Sequence, residues 1–486
     1  MKRIVAAFAL ALVAAVALIV ARGSGLESRQ IQVEPIVPMD VDADAAAKRL
    51  SRAITFRTIS HFDRSNLDAA AFQSFHTFLL GTYPAAHKAL TWEFTGDGLT
   101  VLYRWEGSNP GLEPVLLLAH QDVVPVPPDT EERWSQPPWD GVIADGFVWG
   151  RGAMDDKGNL MAILEAVEAL ASRGFAPTRT LYLAFGHDEE VGGTGAKAVA
   201  DLLTARGVRA DFVVDEGMAV IEGLIPGLEQ PAALIGVAEK GYCSVRLVVE
   251  QAGGHSSTPP PHTAVGILAA AIVRLEQAPM PARLDGVTRS LFDYLAPELP
   301  LGPRVAFANL WLFEWVVKRQ LASSPGTNAT LRTTTAATMI QGSPKDNILP
   351  NRAEAVVNFR ILPGDDVDAV VAHVKAAVGD DRVQVETLGP CTNPSPVSDP
   401  ESESFALMQR TIGEVFPGAL VAPALVLGGT DARYYTGVSD DVYRFSPYRF
   451  VMSDLSRVHG IDERISVEHH ADAIRFYKRL IENAQP

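Results

Sequence analysis

Histidines and acids stand where apolar, strand-like runs end throughout this 486-residue chain. Val115-Leu116-Leu117-Leu118-Ala119 leads to His120 and, two residues on, Asp122; Gly150-Arg151-Gly152-Ala153-Met154 leads to Asp155. Leu181-Tyr182-Leu183-Ala184-Phe185 precedes Glu189-Glu190, Asp211-Phe212-Val213-Val214 precedes Asp215-Glu216, and Arg457-Val458 precedes His459-Gly460. Open α/β sheets bind ligands outside the carboxyl ends of their strands, so these groups can converge on one cleft. Histidine and carboxylate donors without cysteine suit zinc or a similar divalent ion.

Each residue also has a plainer reading. Metal binding by His120 and His459 needs neutral imidazoles, each usually oriented by a carboxylate on its other nitrogen. Asp122 falls on the same side of an extended chain as His120 and suits that part; a lone His-x-Asp is otherwise a solvated strand end. Asp155 or Asp156 fits an N-cap, but capping leaves the tight Gly150-Arg151-Gly152 turn unexplained. A carboxylate there can bridge two ions. Adjacent glutamates are usually a wet loop, yet Glu189 and Glu190 lie between an apolar strand and Val191-Gly192-Gly193. One can ligate while the other stays free as a base. His255, in Gly253-Gly254-His255-Ser256-Ser257, has no place that the residues alone assign. Arg360 sits inside an apolar strand and wants an anion: a substrate carboxylate held bidentately, or equally a structural ion pair.

The elements that must position these groups change character along the chain. From about residue 40 to 241 strands at 115–119, 180–185 and 211–214 alternate with helical stretches at 159–172 and 195–206, which argues an α/β fold with a largely parallel sheet. From residue 242 the order becomes strand (243–250), helix (263–277), strand (333–340), strand (353–362), helix (367–378), strand (382–388), the split β-α-β-β-α-β pattern. A longer irregular segment, 279–330, interrupts it. After residue 394 the α/β grammar resumes with a helix at 401–415 and a strand at 419–427. The expected architecture is a catalytic domain in two pieces, 40–241 and 393–486, with a ferredoxin-like domain at 242–392 inserted. In that arrangement the first and last inserted strands are antiparallel neighbours. Cys243 then lies beside Cys391, within reach of a disulfide.

Composition bounds the rest. The length favours two domains. A net charge of −16, from 42 basic and 58 acidic residues, disfavours nucleic acid as a partner. Met1-Lys2-Arg3 followed by an uncharged apolar run from residue 4 to 21 reads as a signal peptide or signal anchor over 1–22. Residues 23–39 read as a tether, and the body is expected outside the cytoplasm, membrane-anchored or secreted.

Taken together, the motifs resemble the co-catalytic di-zinc metallopeptidase family that includes aminoacylase, carboxypeptidase S and glutamate carboxypeptidase. The resemblance rests on His120-Gln121-Asp122-Val123-Val124-Pro125, on the run from Gly150 to Gly158, on Asp188-Glu189-Glu190-Val191-Gly192-Gly193 and on Gly253-Gly254-His255-Ser256-Ser257. Trp134 to Trp139, Trp311-Leu312-Phe313-Glu314 and Arg332-Thr333-Thr334-Thr335 look most like the secreted N-fatty-acyl-amino-acid synthase/hydrolase branch. The resemblance implies two zinc ions per chain: His120 and Asp215 on one, Glu190 and His459 on the other, Asp155 bridging. In the pair Asp215-Glu216 some relatives use the second acid. It further implies Asp122 as the orienting group, Glu189 as general base and His255 as the residue that polarises the scissile carbonyl, in many relatives from the partner subunit of a dimer. Arg360 would grip the substrate carboxylate, and Gly429 and Thr430 would line the substrate. The implied inserted domain is a lid through which two chains pair. The implied reaction is hydrolysis, and in reverse formation, of N-acyl amino acids through a metal-bound hydroxide. A carboxypeptidase acting on small peptides with a free C-terminus is the alternative. A non-catalytic receptor on the same scaffold would show eroded ligands, and none is eroded here.

Overall fold

Strands Val115–His120 and Leu181–Gly186 are buried along their whole length, as strands covered by helices on both faces must be. In this computed structural model, which describes residues 2–35, 41–95, 98–223, 225 and 227–486, they lie inside an eight-stranded sheet. Its order is Thr91–Thr95, Thr100–Trp105, Leu181–Gly186, Val115–His120, Phe212–Ile221, Val442–Phe450, Ala232–Glu239, Leu420–Val426. The central pairings are parallel, as is the last. The two strands at the opposite edge and the junction of Val442–Phe450 with Ala232–Glu239 are antiparallel, so the sheet is mixed.

Alternate side chains serve the two faces. Leu117, Ala119, Leu183 and Phe185 pack with the helices Lys157–Ser172 and Val467–Asn483. Leu116, Leu118, Tyr182 and Ala184 pack with Thr194–Ala205. Every catalytic candidate on this sheet therefore rests on a strand or turn pinned from both sides.

A second, four-stranded antiparallel sheet runs Thr334–Gln341, Arg352–Ile361, Gly241–Glu250, Val383–Thr392. Helices Ala264–Gln277 and Val367–Val378 cover one face, over a core that includes Val245, Leu247, Leu268, Val357 and Val374. That order is the ferredoxin-like one the sequence pattern implies. Its register sets Tyr242 opposite Thr392, and Cys243 and Cys391 are joined by a disulfide with Cα atoms 4.4 Å apart.

Two segments differ from expectation. The stretch read as irregular, 279–330, forms four helices: Gly286–Leu295, Leu301–Ala308, Leu310–Leu321 and Pro325–Leu331. The first places Val287, Tyr294 and Leu295 in the main core, so it belongs with the large sheet although it lies inside 242–392. Pro297, Pro300 and Gly302 break its periodicity and hid the helices. The tether is not free either. Gln30 accepts a hydrogen bond from Val421 N (2.8 Å) and donates one to Val421 O (3.0 Å), covering the open edge of strand Leu420–Val426, a place where unpaired backbone invites aggregation. Arg29 pairs with Glu401 at 3.0 Å. The boundary expected at residues 39 and 40 lies outside the described residues. Ahead of this segment, Lys2–Ser24 is one continuous helix.

Candidate metal centre

His120 closes its strand with Nε2 2.9 Å from Asp155 Oδ1. Its Nδ1 is 3.0 Å from the backbone oxygen of Asp122 and 3.3 Å from Asp122 Oδ1. Asp122 is itself fixed: Oδ1 accepts from Glu189 N (3.1 Å), and Oδ2 accepts from Glu190 N (3.2 Å) and from the Ser60 hydroxyl (2.6 Å). One buried carboxylate thus ties the His120 strand to the Glu189-Glu190 turn. His459 Nε2 lies 3.0 Å from Asp155 Oδ2 and 3.1 Å from Glu190 Oε2. The two oxygens of Asp155 therefore face one histidine each. Ligand atoms of His120, Asp155 and Glu190 all lie within 4.8 Å of one another.

The turn carrying Asp155 is held by residues that the sequence reading passed over. Arg151 Nη1 donates to Glu463 Oε2 at 2.7 Å and Nη2 to the carbonyl of Gly460 at 3.0 Å. Glu463 Oε1 accepts from the backbone N–H of Met154 (2.9 Å) and Asp155 (3.2 Å). This pair, almost wholly buried, clamps the Asp155 turn to the His459 loop. Gly152 (φ 86°) permits the turn, since a Cβ there would lie 2.7 Å from Val123 Cγ1. The available signal was an arginine between two glycines and a glutamate four residues after His459. Asp156 stands at the N-cap position of Lys157–Ser172 without a capping bond. It accepts instead from His120 N (3.2 Å) and Asn159 Nδ2 (2.5 Å), so neither expected cap is made by its side chain.

Acids crowd this cleft. Burial, then Asp431 and Glu190, pushes the carboxyl of Glu189 well above its ordinary value. Burial, then Asp155 and Asp156, does the same to Glu216. Burial works against ionised Asp155 too, yet hydrogen bonds from His120 and His459 hold it below the usual carboxylate range. Those to Asp155 and Glu190 push His459 up to about 10. One oxygen of Glu190, Oε1, is buried without a hydrogen-bond partner among the described residues. Repelling carboxylates, an orphaned oxygen and two imidazoles around one carboxylate fit a divalent cation, and the nitrogen and oxygen donors fit zinc.

Asp215 and Glu216 part company here. Both oxygens of Asp215 are taken by backbone N–H groups, Oδ1 by Glu216 (2.9 Å) and Oδ2 by Ala432 (2.6 Å). Glu216 has Asp155 as its strongest charged neighbour.

The remaining candidates stand outside the cluster. His255 is exposed on a short pairing with Ile348–Leu349, and its Nδ1 is 2.8 Å from the Ser257 hydroxyl. Arg360 lies on the second sheet opposite Tyr242, its guanidinium 5.0 Å above that ring, with no carboxylate in ion-pair reach among the described residues. Thr430 donates from N and Oγ1 to Glu239 Oε2, both at 3.2 Å. Gly429 sits beside Arg433, whose Nη1 would be 2.9 Å from a Cβ there.

Known proteins match this chain over most of its length. It is 40% identical over 94% of its residues to a probable carboxypeptidase S-like 2 of Dictyostelium discoideum, covering 90% of that protein. It is 39% identical over 96% to the N-fatty-acyl-amino acid synthase/hydrolase PM20D1 of Bos taurus, covering 93% of it. Among solved structures, an M20 family metallo-carboxypeptidase from Sulfolobus solfataricus superposes with a TM-score of 0.65 at 20% identity, over 90% of this chain and 98% of that one. Human carnosine dipeptidase 1 gives 0.60 at 15%, over 91% and 96%; both show the fold. The model of peptidase family M20/M25/M40 matches residues 116–483. With its histidines and acids gathered at the strand ends of that fold, the chain belongs to peptidase family M20/M25/M40 and is a metal-dependent hydrolase.

Proposed function

We propose that this hydrolase acts on the amide bond of N-acyl amino acids, fatty-acyl ones in particular, with two zinc ions per chain. The observation that carries the reading is the bridging position of Asp155 between His120 and His459, supported by similarity to the N-fatty-acyl-amino acid synthase/hydrolases. His120 would hold one ion and Glu190 and His459 the other, with Asp155 shared. Of the Asp215-Glu216 pair, Glu216 is the better remaining donor, because backbone N–H groups already occupy both oxygens of Asp215. Ions bound there polarise a carbonyl and lower the pKa of a water.

The chain's own residues supply the proton traffic and the grip. Glu189 takes the proton of the attacking water and returns it to the leaving nitrogen. Burial raises its proton affinity above that of an exposed glutamate, which makes it a stronger base toward that water. Asp122 keeps His120 oriented through Nδ1. Arg360, free of a carboxylate partner among the described residues, takes the substrate carboxylate as a bidentate fork. Thr430 and Gly429 line the amino-acid end. His255 faces solvent, which suits donation to the oxyanion of a second copy paired through the 242–392 sheet. The same path in reverse joins a fatty acid to an amino acid.

Similarity to the carboxypeptidase S-like protein favours a second reading, cleavage of small peptides at a free C-terminus. Purified, zinc-loaded protein assayed side by side on N-oleoyl-phenylalanine and on a blocked dipeptide separates the two. The proposal expects faster turnover of the acyl substrate. Cleavage of the dipeptide alone would make the protein a carboxypeptidase.

A further inference from the structure

The N-terminal helix and the helices 301–321 form one surface. Lys2–Ser24 is apolar and exposed except at Gly23, which is buried, and Ile19, which is half-buried. Gly23 seats on Leu301–Ala308 so closely that a Cβ would lie 2.5 Å from Val305 Cγ2 and 2.8 Å from its Cα. Asn309, fully buried, donates to the carbonyls of Ile19 and Val305, both at 2.9 Å. The last turn of the apolar helix is thus built into the body.

Beside this seat, Leu310–Leu321 turns its apolar side outward. Trp311 is 70% and Trp315 67% exposed, with Leu312 and Val316 next to them and Leu301 nearby. Residues 311, 312, 315 and 316 share one face at helical spacing, and Lys318 and Arg319 follow in the last turn. Unpartnered tryptophan pairs of this kind are unusual on a water-facing helix.

Depth connects the two observations. The apolar run covers residues 4–21, about 27 Å of helix at 1.5 Å per residue, against a hydrocarbon core of about 30 Å. No apolar length is spare, so Ile19 to Gly23 must sit at the membrane boundary. The helices docked on that turn sit at the same depth, where tryptophan and basic side chains are favoured. We infer that helix Lys2–Ser24 is retained as an anchor and that Leu301–Ala308 and Leu310–Leu321 form a pad lying in the interface of the same bilayer, with Trp311 and Trp315 at headgroup level. The pad fixes the body's orientation on the lipid surface and holds whatever the substrate.

The test uses the full chain reconstituted in phosphatidylcholine vesicles whose acyl chains carry bromine near the headgroup. Helix Lys2–Ser24 contains no tryptophan, so bromine quenching reports on the body alone. Quenching is expected of up to two of the chain's seven tryptophans, stronger with shallow than with deep bromines and largely lost in a W311F, W315F double variant. Quenching that the double variant leaves unchanged, or none in the unaltered chain, overturns the pad. An unquenched chain whose W315C variant cross-links to a second chain identifies a second copy as the occupant instead. Recovery from membranes of a chain already cut between Ile19 and Ser24 overturns the anchor.

Discussion

Replacing Arg151 with methionine should destabilise this protein far more than the loss of any surface arginine. Arg151 Nη1 and Glu463 Oε2 are 2.7 Å apart, with side chains 2% and 0% exposed. At an effective dielectric of 20 their attraction is about 6 kcal/mol before desolvation, and breaking a buried pair from one side costs roughly 3–5 kcal/mol. Arg151→Met leaves Glu463 buried with backbone N–H donors alone, those of Gly152, Met154 and Asp155. An unfolding entropy of about 2.1 cal/mol/K per residue over 486 residues gives roughly 1 kcal/mol/K. The melting temperature should therefore fall by about 3–5 °C for unfolding as one unit, and by more if the catalytic part unfolds alone. Calorimetry in EDTA removes any contribution from bound metal. Arg209→Met is the comparison: its pair with Asp440 is at 2.9 Å but largely exposed, worth at most about 1 kcal/mol. Equal melting of the two variants would refute the clamp. Because Glu463 also holds the Asp155 N–H, Arg151→Met should weaken metal affinity as well.

Three further outcomes follow from the same geometry. His459→Ala should lower both metal stoichiometry and rate, because it removes the imidazole shared by Asp155 and Glu190; full metal occupancy would show that His459 is no ligand. Replacing Cys243 and Cys391 with serine opens a link across 148 residues of sequence and should cost roughly 2–4 kcal/mol in urea unfolding; an unchanged midpoint would mean the strands hold these ends unaided. Burial depresses His470 to about 3, and neither ring nitrogen has a hydrogen-bond partner among the described residues. Unfolded chains bind this proton from about pH 6.5 while the folded one does not, so stability drains as pH falls from there toward 3. His470→Leu should therefore flatten the acid side of the stability curve, gaining on the parent by about 1.4 kcal/mol per pH unit below pH 6. Parallel curves would remove His470 from the account.

How much of this was legible in the sequence depends on whether the signal was local. His120, Asp155 and Glu190 could be read because each follows an apolar strand or a glycine turn at short range. The Cys243 and Cys391 link could be read because the strand order fixes which ends are neighbours. Glu463 could not: its partner is Arg151, more than 300 positions away, and neither residue is unusual by itself. Asp215 and Glu216 show a subtler limit. Alternation along a strand says that the two point apart, but only the backbone donors at Glu216 and Ala432 reveal which one is already satisfied. The helices at 286–331 were hidden by prolines and glycines that break their periodicity. Within the segment read as a tether, 23–39, the covering of an edge strand by Gln30 leaves no pattern in composition. His255 had no place that the residues alone could assign, and the fold leaves it exposed beside Ser257, away from the His120 and Asp155 cluster.

In the proposed mechanism, metal binding and proton transfer are divided between adjacent residues, Glu190 and Glu189. Glu189→Gln keeps the shape of the side chain and removes the base, while the Glu189 N–H to Asp122 and the cluster of His120, Asp155 and Glu190 are untouched. Metal content and turnover of N-oleoyl-phenylalanine, measured on the same preparation, should show full metal retention with a rate reduced by roughly 10²–10⁴, the scale of general acid–base catalysis. A variant with undiminished turnover, or one that loses its metal along with its activity, would contradict that division of labour.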